Sequence, residues 1–336
     1  MVVGFFIGTF FGSFLNVVVH RLPRGLSLWQ PPSHCPRCSH RLGPADLIPL
    51  FSLLLTGGKC RYCGGRVGWR YFVVELLTGA VWAGFWWRFL VAGADPLSFL
   101  LFVAFGCVLL AALFIDLEHY IIPDSLNAWV LPIAAALNAH QIVAGTGGWA
   151  QVAGVAVPTA LAGYLVGWGA LFAIALFGRL LLRRDAMGHG DIKLARGIGA
   201  MLGPGLALGA FALAVVAGAV LGAAQVVARR NVEESDPGQG EEEYDEEPES
   251  VGSLLKCGVG YLVLVDVVAL FVPSLNRSWF GDSPEELEAG EDDWQPSLTT
   301  IPFGPYLVVG ALVAATFPEP LLAAGKRYLE WATGVR

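Results

Sequence analysis

Charge is scarce in this chain. Of its 336 residues only 15% are Asp, Glu, Lys or Arg, while 55% are hydrophobic and the mean hydropathy is +0.60. An average soluble domain is about 25% charged, so the scarcity excludes a soluble two-domain enzyme and makes the chain a membrane protein. The signatures of several familiar chemistries are also missing: there is no GxSxG turn, no HExxH helix, no Walker loop and no GxGxxG after a strand. Serine-esterase, zincin and nucleotide-hydrolysing apparatus are therefore not offered, nor is a Rossmann-type cofactor site. The first apolar stretch lacks a basic n-region and a small-residue cleavage site, and it carries Asn16 and His20. It reads as a retained helix and not as a secretory signal.

Long apolar runs are what the chain has instead. Stretches able to cross about 30 Å of hydrocarbon lie at 2–19, 71–92, 97–115, 126–143, 150–178, 205–228, 257–273 and 301–318, with a shorter one from Ile192 to Leu202. They predict an all-α polytopic membrane protein of eight or nine transmembrane helices. The loop after the first helix holds Arg21, Arg24, Arg37, Arg41, Lys59, Arg61, Arg66 and Arg70, and basic loops stay cytoplasmic. Alternation from there puts QIVAGTGGWAQ (141–151) outside and GRLLLRRDAMGHGDIKLAR (178–196) inside. The net charge of −7 comes largely from EESDPGQGEEEYDEEPE (233–249), which reads as a disordered acidic linker. No nucleic-acid partner is expected; the bilayer is.

Four of the six cysteines stand as CPRC (Cys35, Cys38) and CRYC (Cys60, Cys63). In a reduced compartment, two CxxC turns suit tetrahedral zinc better than disulfides, and the loop has too little apolar content to fold otherwise. The expectation is a small cytoplasmic zinc ribbon, with a redox pair as the alternative. His34 and His40 read as loop residues, and Cys107 and Cys257 as small core side chains.

Ionisable groups at the edge of a bundle mark function by default; here they are Glu75, Asp116, Glu118, Asp124, Asp191 and Asp266. Asp124 follows Pro123 and reads as a helix cap. Asp191 follows Gly188-His189-Gly190, where absent Cβ atoms leave room for close approach. A helix starting there would favour its charge, and a second carboxyl, Asp116, could share its proton. Such a pair activates water against an amide. It also suits a proton or cation site in a transporter, and residue chemistry leaves both open.

Several stretches taken together resemble one family. GTFFGSFLNVVVHRLPRG (8–25), the paired cysteines around ADLIPLFSLL, GKCRYCGGRVGWRYFVVELLTG (58–79), IDLEHYIIPD (115–124), GHGDIKLARGIGAMLG (188–203) and IPFGPYLVVGAL (301–312) are similar to the prepilin peptidases, membrane aspartic proteases of the GxGD type. The likeness is colinear over 4–228 and resumes at 301. It implies removal of the basic leader of prepilins or secretion pseudopilins after a glycine, on the cytoplasmic side of the bacterial inner membrane. It further implies N-methylation of the new terminus with S-adenosylmethionine, with Asp116 and Asp191 catalytic and the cysteine loop holding metal. Glu75 is a possible further functional residue, pairing with a substrate amine or with Arg70.

The expected layout is a first helix (1–20), the zinc ribbon loop (21–70), protease helices (71–228), the acidic linker (229–253), an extra apolar segment with a second acidic patch (254–300), and a last helix with a basic tail (301–336). By length, 256–272 is expected to span. Asp266 in its middle argues against.

Overall fold

The computed structural model describes residues 1–183, 185, 187–233, 249–280 and 302–333. The chain divides into two compact units, Met1–Leu126 and Asn127–Arg336.

Helices α1 (Val2–Arg21), α3 (Arg70–Phe85) and α4 (Pro96–His119) pack on one another in the first unit, with the short α2 (Phe51–Leu55) in the loop between α1 and α3. Polarity in α1 is inverted relative to a soluble helix. Gly4, Gly8 and Gly12 are buried, and Phe6, Phe10 and Phe14 are exposed. A Cβ on Gly8 would strike Trp82 and one on Gly12 the backbone of Glu75, both on α3. Small residues at every fourth position let two backbones approach closely, and the phenylalanines are left to lipid. Asp95 starts α4 as its N-cap, accepting from the Ser98 amide at 3.1 Å, with Pro96 in the first turn.

The second unit uses the same device. A two-residue turn, Ala153-Gly154, both at positive φ, joins β1 (Trp149–Val152) to an antiparallel β2 (Val155–Pro158), as in type I′ hairpins. Then come α6 (Thr159–Phe177), α7 (His189–Leu202) and α8 (Pro204–Glu233), preceded by α5 (Asp124–Val143), which begins at the unit boundary. On α6, Gly163 and Gly167 lie against Gly199 and Ala195 of α7, so closely that a Cβ on either glycine would collide with a carbonyl oxygen. The core of the unit is α7, buried from Ile192 to Met201. Beyond α8 the chain continues as α9 (Val251–Leu262), α10 (Val265–Ala269), α11 (Pro273–Phe280), α12 (Gly304–Thr316) and α13 (Pro318–Thr333).

Among the described residues five helices are long and apolar enough to cross a membrane, or six if the pair α12 and α13, bent by 103°, counts as one. The expected eight or nine are not reached, for local reasons. Residues 149–158 form the hairpin, so the predicted 150–178 span starts only at Thr159. The extra stretch at 256–272 is not one helix: Leu264 takes a left-handed φ of 64° between α9 and α10. The last predicted span turns at Phe317, ahead of Pro318. Helix α3 is α-helical for 16 residues and then continues as a π-helix through Trp86–Ala92. Of the acidic run only the ends, Glu233 and Glu249, are described, and the patch at 282–294 lies outside the described residues. Asp124 is the first residue of α5, where a carboxylate complements the helix dipole.

Candidate active site and metal centre

The cysteine loop folds as two matching turns. In each, the amide of the first cysteine donates to the carbonyl five residues on (Cys35 to His40, 2.9 Å; Cys60 to Gly65, 2.8 Å), and the residue four on donates back (Ser39, 2.9 Å; Gly64, 2.9 Å). Both return residues have positive φ, 55° at Ser39 and 68° at Gly64. All four Sγ atoms of Cys35, Cys38, Cys60 and Cys63 lie within 4.8 Å of one another. Tetrahedral zinc, with Zn–S of about 2.3 Å, fits that set of four sulfurs. The thiols also show why a cation suits them. Cys38 and Arg37 amides pull the Cys35 thiol down to about 6. At Cys38 the His40 amide favours the thiolate, but burial and the Cys35 and Cys63 sulfurs outweigh it and push the thiol up to about 11. A bound cation would hold all four sulfurs as thiolates in place of protons.

Asp46 ties the two turns together. Its carboxylate accepts from the Tyr62 hydroxyl (2.8 Å) and the Gly43 amide (3.1 Å), pairs with Arg61 at 3.1 Å, and is held below the usual carboxylate range, first by Tyr62. The His40 ring lies 3.7 Å from that of Tyr62, tilted by 31°, and His34 Nδ1 lies 3.0 Å from the Pro32 carbonyl; neither belongs to the sulfur cluster.

Glu75 and Arg70 do not pair. Arg70 donates to both oxygens of Glu118, at 2.7 and 2.5 Å. Glu75 is buried on α3 and accepts from the Leu50 amide at 2.7 Å, where Leu50 has φ of 62°. Its visible work is to fasten the loop to the membrane helices. Arg21 of α1 does the same, donating to the Ser27 and Pro31 carbonyls at 2.8 and 2.6 Å, while Asn16 joins α1 to α3, donating to the Tyr71 carbonyl at 3.2 Å.

Asp116 is buried in the last turn of α4, which closes on a left-handed Tyr120. It belongs to the first unit; Asp191, in the first turn of α7, belongs to the second. Gly188 has an ordinary φ of −68°, so glycine is not there for conformation. It is there for space: a Cβ would stand 3.3 Å from Asp191 Oδ2. Gly188→Ala should therefore shift that carboxylate by a few tenths of an ångström and lower kcat by about tenfold, without loss of folded protein; steady-state kinetics against melting temperature checks this.

Asp266, the apparent obstacle to a span, is paired. Arg196 of α7, with no solvent exposure, forks onto both its oxygens, Nη1 to Oδ1 at 3.0 Å and Nη2 to Oδ2. Arg196, Tyr261, His189 and Glu249 form a polar system that the sequence reading assigned no role. The signal was available in part, since His189, Lys193 and Arg196 fall in one row of a helix.

Residues 6–89 match the family model described as Bacterial Peptidase A24 N-terminal domain, and residues 102–223 match Type IV leader peptidase family. A Myxococcus xanthus protein named prepilin leader peptidase/N-methyltransferase is 33% identical over 92% of this chain and 87% of its own length. A Pseudomonas aeruginosa protein of the same name is 33% identical over 69% of this chain and 82% of its own. An Escherichia coli protein named type 4 prepilin-like proteins leader peptide-processing enzyme is 32% identical over 59% and 75%. No solved structure matches the chain. The apolar helices and these matches define a multi-pass membrane peptidase. The chain belongs to the type IV leader peptidase family.

Proposed function

We propose that this peptidase removes the basic leader from type IV prepilins or secretion pseudopilins, cutting after the leader glycine at the cytoplasmic face of the bacterial inner membrane. The observation that carries the substrate is the identity, 33% over 92% of the chain, with a relative named for that activity. Membership of a peptidase family favours hydrolysis over the transporter use of the same carboxylates.

Asp116 and Asp191 are the catalytic pair in this reading. Asp191 stands at the positive end of the α7 dipole, which suits a charged base; Asp116 stands at the negative end of α4, which suits a neutral acid. Asp191 takes a proton from water as its oxygen bonds to the scissile carbonyl carbon, and Asp116 gives its proton to the carbonyl oxygen. As that oxygen returns its proton, the C–N bond breaks, and the proton held by Asp191 passes to the departing amine. Gly188 and Gly190 leave room for the substrate backbone. A substrate with an apolar helix in the bilayer and a basic leader in the cytoplasm would present its bond at this depth.

Structural zinc would be held by Cys35, Cys38, Cys60 and Cys63, supplying cross-linking and no step of hydrolysis. S-adenosylmethionine would supply an electrophilic methyl group for the new α-amine. The two described strands form a hairpin without a glycine-rich phosphate turn, so the described residues offer it no nucleotide fold and no methyl-transfer step is assigned.

The test is membranes holding the protein, incubated with a polypeptide bearing a basic leader, glycine and an apolar helix, with product masses read. The expected result is one cut after glycine, with an added methyl mass when the second activity is present. Folded, zinc-loaded protein that cuts none of several such substrates would overturn the proposal.

A further inference from the structure

The turn that carries Asp191 has little to hold it by itself. Gly188 and Gly190 have no side chains, and the first amides of any helix lack intrahelical partners. His189 is the only side chain between the two glycines. It lies roughly 200° around the helix from Asp191, in a row with Lys193 and Arg196.

Residues 249–280, beyond both family-matched regions, take hold of that entire row. His189 is held at both ring nitrogens, Nε2 at 2.9 Å from Glu249 Oε2 and Nδ1 at 2.9 Å from the Tyr261 hydroxyl. A carboxylate only accepts, so in the neutral ring Nε2 donates to Glu249 and Nδ1 accepts from Tyr261. The Tyr261 ring lies 4.8 Å from the Lys193 ammonium and stacks on Phe280 at 5.3 Å. The Tyr261 carbonyl accepts from Arg196 and from the Tyr164 hydroxyl, both at 2.5 Å, and Arg196 is forked onto Asp266. Finally, the Glu249 amide donates to Asp185 Oδ2 at 3.0 Å, tying down the approach to the turn. The contacts at Lys193 and Arg196 lie along α7, and those at His189 and Asp185 reach the turn and its approach. That is the arrangement of a brace, applied to the row of α7 that lies away from Asp191.

We propose that His189 is a positioning residue, held by Glu249 and Tyr261 so that the Gly188–Asp191 turn keeps the geometry cleavage needs. The inference rests on Asp191 being catalytic. It makes the segment after α8 part of the catalytic apparatus in this chain, by way of His189, which both Glu249 and Tyr261 contact.

The experiment uses the full chain in membranes and the leader-bearing substrate, comparing wild type, Glu249→Ala, Glu249→Gln and Tyr261→Phe. Each variant leaves the Arg196–Asp266 anchor in place, so folding should persist. The expected result for Glu249→Ala is a kcat about 10- to 100-fold lower with KM within about twofold and melting temperature unchanged, as misplacement of a reacting group predicts. Glu249→Gln, whose amide oxygen still accepts from Nε2, should recover most of the rate, and Tyr261→Phe, which keeps ring and carbonyl, should lie between. A wild type that cuts while Glu249→Ala and Tyr261→Phe cut equally well would overturn the brace alone. Loss confined to KM or to melting temperature would overturn it too. A folded wild type that cuts nothing would overturn the cleavage reading and this proposal with it.

Discussion

Asp191→Asn and Asp116→Asn should each leave a leader-bearing substrate uncut, with kcat reduced by about 10⁴-fold, the upper range for loss of a general acid or base. The two substitutions conserve shape and remove only the ability to exchange a proton. Asp116 is 5% exposed in the last turn of α4. A neutral amide there buries no more charge than the neutral acid it replaces, so the protein should accumulate and melt normally. Asp191 is half-buried in a turn whose glycine clears its carboxylate, and Asn fits the same space. Zinc content should match wild type in both, because the sulfur cluster draws on neither residue. Glu118→Gln is the informative control. It sits two residues from Asp116 yet is engaged with Arg70 on the surface, so it should retain cleavage to within a few fold, as loss of an exposed ion pair costs about 1 kcal/mol at most. Cleavage surviving either Asn variant would remove that aspartate from the mechanism.

Two CxxC pairs are a local pattern, and local geometry was the part of the sequence that translated most directly into three dimensions. The four cysteines converge as expected because each pair already forms its own turn. Span counting failed where apolar composition did not determine conformation. VAVP reads equally as helix or strand, and Ala153-Gly154 decided for the hairpin. The stretch from Lys256 to Val272 had length but not continuity, and its aspartate found Arg196, 70 positions away in sequence, a pairing that no local pattern shows. The glycine rows were legible and were not used: Gly4, Gly8 and Gly12, and Gly163 with Gly167, have the spacing of close helix contacts. Glu249 was not legible at all, since nothing in the acidic run sets it apart from its neighbours until the chain folds back on His189.

Cys60→Ser should abolish zinc binding and unfold the ribbon while the membrane helices stay assembled. The reason is what else the loop lacks. Between Leu22 and Trp69 the buried residues are Cys35, Pro49, Leu50 and Cys60, far too little apolar surface to offset the entropy of ordering such a loop. Two of those four belong to the four-sulfur cluster that could hold a metal, so the core of the ribbon and the candidate metal site are one object. Structural zinc supplies apparent binding free energy of about 10–16 kcal/mol in small domains of this kind, and removing one thiolate forfeits most of it. Metal analysis should give one zinc per wild-type chain and none for Cys60→Ser, with the loop becoming a preferred site of limited proteolysis. Acid should do reversibly what the substitution does permanently. Zinc needs all four sulfurs as thiolates and protons compete for them, so affinity falls with pH already below the Cys38 value of about 11 and more steeply below the Cys35 value of about 6. The helices should tolerate this loss, because α1, α3 and α4 pack through their glycine row and aromatic contacts and the Asn16–Tyr71 bond joins α1 to α3, to which the loop adds the Glu75 and Arg21 fastenings. Wild-type protein without zinc, or with four thiols titrating freely before any chelator is added, would refute the metal site and leave the compactness of the ribbon unexplained.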